Sequence, residues 1–168
     1  MIPTVYWVRG MKRGRLAVVS RPNPAFGLPK QMQALRAEGL DVLVSMLEDD
    51  EATRLGLAWE ADAAREVGLA FCHLPTGDFG VPVSFEEAGG LIRRVAAKIM
   101  MGRAVGVHCF AGRGRAPLFA AAVLVQLGAE PDAAIEAVSE ARGRPIPETE
   151  YQRRWVGEFA EWRRSSAA

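Results

Sequence analysis

Apolar residues recur in short runs separated by glycine, proline and charged clusters, and the spacing within each run predicts its element. Residues 4–8 and 16–20 read as two short strands joined by a basic, glycine-containing turn, a hairpin. Arg-Pro-Asn-Pro at 21–24 is a turn or loop. A helix is predicted over 31–38, with Gly39 as its stop signal. Residues 41–46 form a strand whose continuous apolar run, Val42, Leu43 and Val44, suits a buried sheet. The acidic run 48–51 reads as a solvated helix start, 53–67 as helical with a break near Gly56, and 69–74 as the next strand. Breakers crowd the stretch 75–82, which is expected to be a loop. Ser84 then caps a helix over 85–101, with Glu86 and Glu87 in its first turn and Ala88, Leu91, Ile92, Val95 and Ile99 along one face.

A short apolar strand at 104–107, a tight loop and a buried helix over 118–127 follow, closed by Gly128. Two more helices are predicted at 131–142 and 150–163; the second carries Trp155, Phe159 and Trp162 as a stripe that reads as core packing. Strands alternating with helices predict an α/β fold, a central and largely parallel sheet of about five strands with helices on both faces. No repeat, linker or low-complexity tract appears, so residues 1–168 are expected to form one domain.

Charge changes this picture more than composition does. The net charge is only +1, yet residues 1–30 hold six basic side chains and no acidic one, and residues 88–129 hold another six and no acidic one. Acidic residues collect between Asp41 and Glu66. The loop after the 104–107 strand thus lies in a basic segment, which favours an anionic substrate. Two cysteines, Cys72 and Cys109, do not suggest a disulfide framework and fit a reducing, cytoplasmic setting. No N-terminal apolar h-region is present, and the longest apolar run, 118–127, is too short to span a bilayer.

The loop itself carries the chemistry. It opens with Cys109 and closes with Arg115, and between them stand two glycines and no acid. Gly112 and Gly114 permit the unusual φ values that let backbone N–H groups converge on one point. The following helix adds its N-terminal partial charge and free donors, and Pro117 fits its first turn. Such a cradle binds a dianion and stabilises a thiolate at Cys109. The planar guanidinium of Arg115 can grip two phosphate oxygens at once. The alternative is a buried strand cysteine beside an ordinary strand-to-helix turn.

His-Cys-x-x-Gly-x-x-Arg, read from His108 to Arg115, resembles the signature of the cysteine-dependent protein phosphatases, and the short chain is most similar to their dual-specificity branch. The resemblance implies a phosphoric monoester hydrolase that works through a phosphocysteine on Cys109. Phosphate would be held by Phe110, Ala111, Gly112, Arg113, Gly114 and Arg115. A poor leaving group needs a proton, and Asp78, 31 residues before Cys109 on the breaker-rich loop, matches the family's general acid. A turn-forming Asp beside glycine is the alternative. The family usually has Ser or Thr directly after the arginine, where its hydroxyl helps the cysteine sulfur leave; this chain has Ala116. Phosphate binding and thiol attack are therefore better supported than fast turnover.

His108 is expected to orient the loop. Gln152 either positions the attacking water, as a late glutamine does in some relatives, or serves the capping pattern Thr149-x-x-Gln152. Phe79 and Phe110 flank the substrate or pack, and Cys72 reads as a buried strand residue. No metal or other cofactor is called for, since the loop and Arg115 supply the charge stabilisation. Phosphorylated protein is the first expectation for the substrate. Mid-loop Arg113 keeps a phosphoinositide or other polyanionic phosphoester open, and Ala116 keeps open a phosphate-binding module with little turnover. A sulfur transferase or reductase with a similar cysteine loop is a third reading. No stable nucleic-acid or membrane partner is expected.

Overall fold

Alternate residues along each strand enter two different cores, which makes the sheet a middle layer. The computed structural model describes residues 1–167 and contains five strands: β1 (Val5–Trp7), β2 (Arg15–Val19), β3 (Val42–Ser45), β4 (Ala70–His73) and β5 (Ala104–His108). Their spatial order is β1-β2-β5-β3-β4. β1 is the antiparallel edge, and the other neighbours pair in parallel. Seven α-helices accompany them among the described residues: α1 (Leu28–Ala37), α2 (Asp49–Arg54), α3 (Glu60–Glu66), α4 (Phe85–Met100), α5 (Arg115–Gln126), α6 (Pro131–Arg142) and α7 (Glu150–Ser166).

On one face Leu16, Val18, Val42, Val44, Val105 and Val107 meet the apolar sides of α4, α5, α6 and α7. On the other, Ala17, Val19 and Leu43 meet Met32 and Leu35 of α1 and Ala63 and Ala64 of α3. Gly106, in the middle of β5, belongs to this second face. A Cβ there would overlap the Leu40 and Val19 side chains, so glycine is what lets that side close. α5 is buried from Arg115 to Val125 and apolar nearly all round, as a central helix should be. The aromatic stripe of α7 is core: Phe85, Trp155, Phe159 and Trp162 stack with centroids 5.3–5.9 Å apart.

The predicted α/β architecture is therefore present, hairpin included. Differences are local. A 3-10 turn (Pro24–Phe26) precedes α1, which starts at Leu28 because Gly27, at φ +83°, turns the chain and Pro29 sits in the first turn. The region 48–67 holds two helices, separated where Gly56 takes φ +73°. Among the described residues no helix is long and apolar enough to cross a membrane. Because β3, β4 and β5 run parallel, the loops after them gather at one end of the sheet.

Candidate active site

At His108, in the centre of the sheet, the chain leaves β5 and turns back into α5. The turn is the loop 109–114. Gly112 takes φ +67° there, a conformation a side chain would resist. Gly114 makes room for the Gln152 amide, whose atoms lie 2.7–2.8 Å from where a Cβ would stand.

The loop is held by its carbonyls. The Cys109 oxygen faces His108 Nδ1 at 3.3 Å. Arg142 donates to the Ala111 and Gly112 oxygens at 3.4 and 3.2 Å. The N–H groups of Glu148 and Leu118 donate to the Arg113 and Gly114 oxygens at 2.8 and 2.9 Å. In a planar trans peptide the C=O and the next N–H point in opposite directions. Carbonyls tied away from the loop's centre therefore aim the N–H groups that follow them toward it. Among the described residues, no backbone N–H from 110 to 114 has a hydrogen-bond partner. The N-cap of α5 is Gly114, which brings no side chain to the free N–H groups of the first turn. A ring of donors at a helix N-terminus is an anion cradle. Cys109 sits nearly enclosed, 2% exposed, at the start of this ring, and the buried methyl of Ala116 follows Arg115.

Arg115, the first residue of α5, is 1% exposed. Its Nη1 donates to Glu51 Oε2 and to the Thr76 carbonyl, both at 2.8 Å, and its Nη2 donates to Glu51 Oε1 at 2.9 Å. Asp78 Oδ1 lies 3.2 Å from the same Nη2. Burial alone would pull the Arg115 pKa down. The hydrogen bonds to Glu51 and the charges of Cys109, Glu51 and Asp78 outweigh it and hold the guanidinium above its ordinary value. Hydrogen bonds from Arg115 hold the Glu51 carboxyl below its ordinary value, against the desolvation that would raise it.

Glu51 corrects one expectation. The acidic run does start a helix, with Glu48, Asp49 and Asp50 exposed as expected, but its fourth residue is buried. At the third position of α2, Glu51 Oε2 accepts the Glu48 N–H at 3.3 Å and reaches Arg115 as well. Its signal was positional: the run follows the carboxyl end of β3, next to β5. Glu60 was not singled out at all. It is buried on α3 with Oε1 2.6 Å from Nε2 of the equally buried His108. A lone Glu in a helical stretch gives no sequence signal, and only the packing of α3 brings it to the site.

Asp78 occupies a turn closed by the Gly80 N–H on the Gly77 carbonyl at 2.9 Å. Its Oδ1 also accepts the Phe79 N–H at 3.0 Å. Phe79 adopts φ +59°, uncommon for a bulky residue, with its ring exposed. Gln152 touches both loops. Thr149 Oγ1 accepts the Gln152 N–H at 3.1 Å, so the cap exists, but the buried side chain serves another end: Nε2 donates to the Gly80 carbonyl at 3.1 Å. Arg113 and Phe110 are exposed on the loop, and the Arg21 guanidinium lies 4.4 Å from the Phe110 ring centroid. Cys72 lies on β4, separated from β5 by β3, and burial pushes its thiol pKa up.

Comparison with known proteins agrees with this geometry. The family model of the polymorphic toxin system DSP-PTPase phosphatases (Tc-R-P) matches residues 18–129. Cyclin-dependent kinase inhibitor 3 of Rattus norvegicus is 24% identical over 136 residues, 80% of this chain. The chain spans 64% of the length of that curated relative. Kinase-associated phosphatase, in a structure with its catalytic-site cysteine replaced by serine, superposes with TM-score 0.85 at 20% identity, covering 96% of each chain. Tk-PTP in its active form gives 0.75 at 25% identity over 94% of this chain and 96% of that one. PTPMT1 in complex with PI(5)P gives 0.74 at 24% identity over 91% and 94%. With two thirds of its length matched by the family model and the same architecture in these structures, the chain belongs to the DSP-PTPase phosphatases, the cysteine-dependent phosphatases of tyrosine and dual-specificity type.

Proposed function

We propose that this protein hydrolyses phosphoric monoesters through a phosphocysteine on Cys109, with phosphorylated protein side chains as the substrate class. One observation carries the reading: the carbonyls of Ala111, Gly112, Arg113 and Gly114 are tied by donors from α5, α6 and Glu148 while the loop's N–H groups are unpartnered among the described residues, beside a thiol and a doubly anchored arginine. The Cys109 thiolate attacks phosphorus as the ester P–O bond breaks, and the protonated Asp78 carboxyl gives its proton to the leaving oxygen. The ionised Asp78 then takes a proton from water as the water oxygen attacks phosphorus and the S–P bond breaks, restoring the thiolate. The loop N–H groups and Arg115 hold the equatorial oxygens throughout, and they need no rearrangement to do so. Gln152, against Gly114 and bonded to Gly80, is placed to keep the acid loop and the phosphate loop in register. A reducing compartment such as the cytoplasm keeps the nucleophile a free thiol.

A second reading of the substrate rests on Arg113. It is exposed at mid-loop with no carboxylate partner among the described residues, and PTPMT1 was solved with PI(5)P. An extra cation beside the phosphate suits a phosphoinositide or other polyanionic phosphoester. The test is release of phenol from a chromogenic aryl phosphate. Steady release that disappears in Cys109→Ser is expected. A burst equal to the enzyme followed by stalling would place the slow step at phosphocysteine hydrolysis, where Ala116 brings no hydroxyl. Phosphate binding without release in either protein would replace hydrolysis with a binding module. A panel of phosphopeptides and phosphoinositides separates the two substrate classes.

A further inference from the structure

The pair formed by Glu60 and His108 lies behind the nucleophile and takes no part in the steps above. Both side chains are buried. Each ring nitrogen of His108 faces an oxygen: Nε2 is 2.6 Å from Glu60 Oε1, and Nδ1 is 3.3 Å from the Cys109 carbonyl oxygen. A neutral imidazole carries one N–H and satisfies only one such acceptor. A carboxyl group at Nε2 removes the conflict in either of its forms. Ionised Glu60 accepts an N–H from a doubly protonated ring, and protonated Glu60 donates its O–H to a bare Nε2. In both arrangements Nδ1 is left to carry the proton that would bond the Cys109 carbonyl.

That carbonyl has no other donor among the described residues. It belongs to the first peptide of the cradle. Holding its C=O on His108 fixes the plane of the Cys109-Phe110 peptide and so turns the Phe110 N–H the opposite way, toward the anion. The other carbonyls that tie the loop are held from α5, α6 and the segment before α7. Only this one is held from α3, through the imidazole, and α3 packs on the other face of the sheet.

We propose that Glu60 is a positioning residue for the hydrolysis: by bonding Nε2 it holds the His108 ring in the orientation that keeps Nδ1 against the Cys109 carbonyl, and so aims the Phe110 N–H into the phosphate cradle. This rests on reading the Cys109 loop as the phosphatase site. The chain holds only two histidines, His73 and His108, so 15N-histidine labelling in a His73→Gln background leaves one imidazole to observe. A directly bonded, slowly exchanging proton on His108 Nδ1 is expected. Replacing the carboxyl by an apolar group, Glu60→Leu, leaves Nε2 without a partner and the ring free to turn from the carbonyl; it should speed the exchange of that proton and lower kcat on an aryl phosphate about tenfold while KM moves little, since a misaimed donor is felt most at the transition state. The isosteric Glu60→Gln can donate its amide N–H to Nε2, and should restore both the Nδ1 proton and most of kcat. A bare Nδ1 in the wild-type spectrum overturns the proposal, and that measurement needs no variant to fold. So does a folded Glu60→Leu protein with unchanged kcat. A protonated Nδ1 in a wild-type protein that releases no phosphate would instead remove the phosphatase reading and leave the hold of Glu60 on His108 intact.

Discussion

Two loops meet at the site and are built in opposite ways. Both follow parallel strands, and both are rich in glycine. The loop after β5 is fixed from several sides: α6, the segment before α7 and the first turn of α5 all hold its carbonyls, and Cys109 and Arg115 are buried. The loop after β4 lies open. The Asp78 side chain is 52% exposed, and Phe79 and Val83 stand in solvent. It is tied by the Thr76 N–H on the Met46 carbonyl at its start, by the Thr76 carbonyl and Asp78 on Arg115, and by Gly80 on Gln152. The difference matches two chemical tasks. Donors that stabilise developing charge work best when preorganised. A proton carrier must reach the leaving group and then water, and a segment with few buried contacts can move. Arg115 belongs to both: the loop after β4 docks on the same side chain that, in the proposed mechanism, holds phosphate.

The largest break of this contrast comes from Glu51→Leu. It strips the buried guanidinium of its bidentate partner, and breaking such a pair destabilises by about 3–5 kcal/mol. A large fall in denaturant midpoint is expected, together with loss of activity on every substrate, good leaving group or poor. If midpoint and kcat both survive, the phosphate loop is not fixed through Arg115. Asp78→Ala probes the open loop and should leave the denaturant midpoint near wild type, because the carboxylate removed is half-exposed and Arg115 keeps its bidentate partner Glu51. It should slow alkyl or phenyl phosphates by about a hundredfold and activated aryl phosphates far less. Equal slowing of both would take Asp78 out of the acid role. The mildest test is acid. Glu51 has its pKa lowered in the fold, so below its ordinary value of 4.5 the unfolded chain takes up a proton that the folded one refuses. Its stabilising contribution is complete above that pH and is lost as pH falls through the folded value. The denaturant midpoint should therefore drop on acidification below about 4.5, and less steeply in Glu51→Gln.

The phosphate loop was legible because its parts are contiguous: thiol, glycines and guanidinium stand within seven residues, and apolar runs on both sides announce strand and helix. The sheet and α4 were legible for a similar reason, since their periodicity is carried by uninterrupted residues. Asp78 was singled out from its breaker-rich setting and from the family resemblance, which expects a loop aspartate about that far before the cysteine, and the structure brings it beside Arg115. Glu51 and Glu60 were hidden by the same property that makes them matter. A carboxylate in an acidic stretch looks solvated until a buried side chain from a distant part of the chain claims it, and both partners are more than forty residues away. The basic and acidic segments that looked separate along the chain are interlocked in space, at Arg115 with Glu51 and again at Arg103 with Asp41. Gln152 showed only half of itself: Thr149-x-x-Gln152 announced a cap, but nothing local announced Gly80 or Gly114.

The position of β3 has a consequence for oxidant exposure. It separates the strand bearing Cys72 from the one leading to Cys109, which puts their backbones at least two strand spacings apart, about 10 Å, beyond the Cα separation a disulfide spans. A sulfenic acid formed on Cys109 thus finds no resolving thiol within these 168 residues. Its return to the working state depends on a thiol brought from outside, such as a small-molecule reductant, before further oxidation makes the loss permanent.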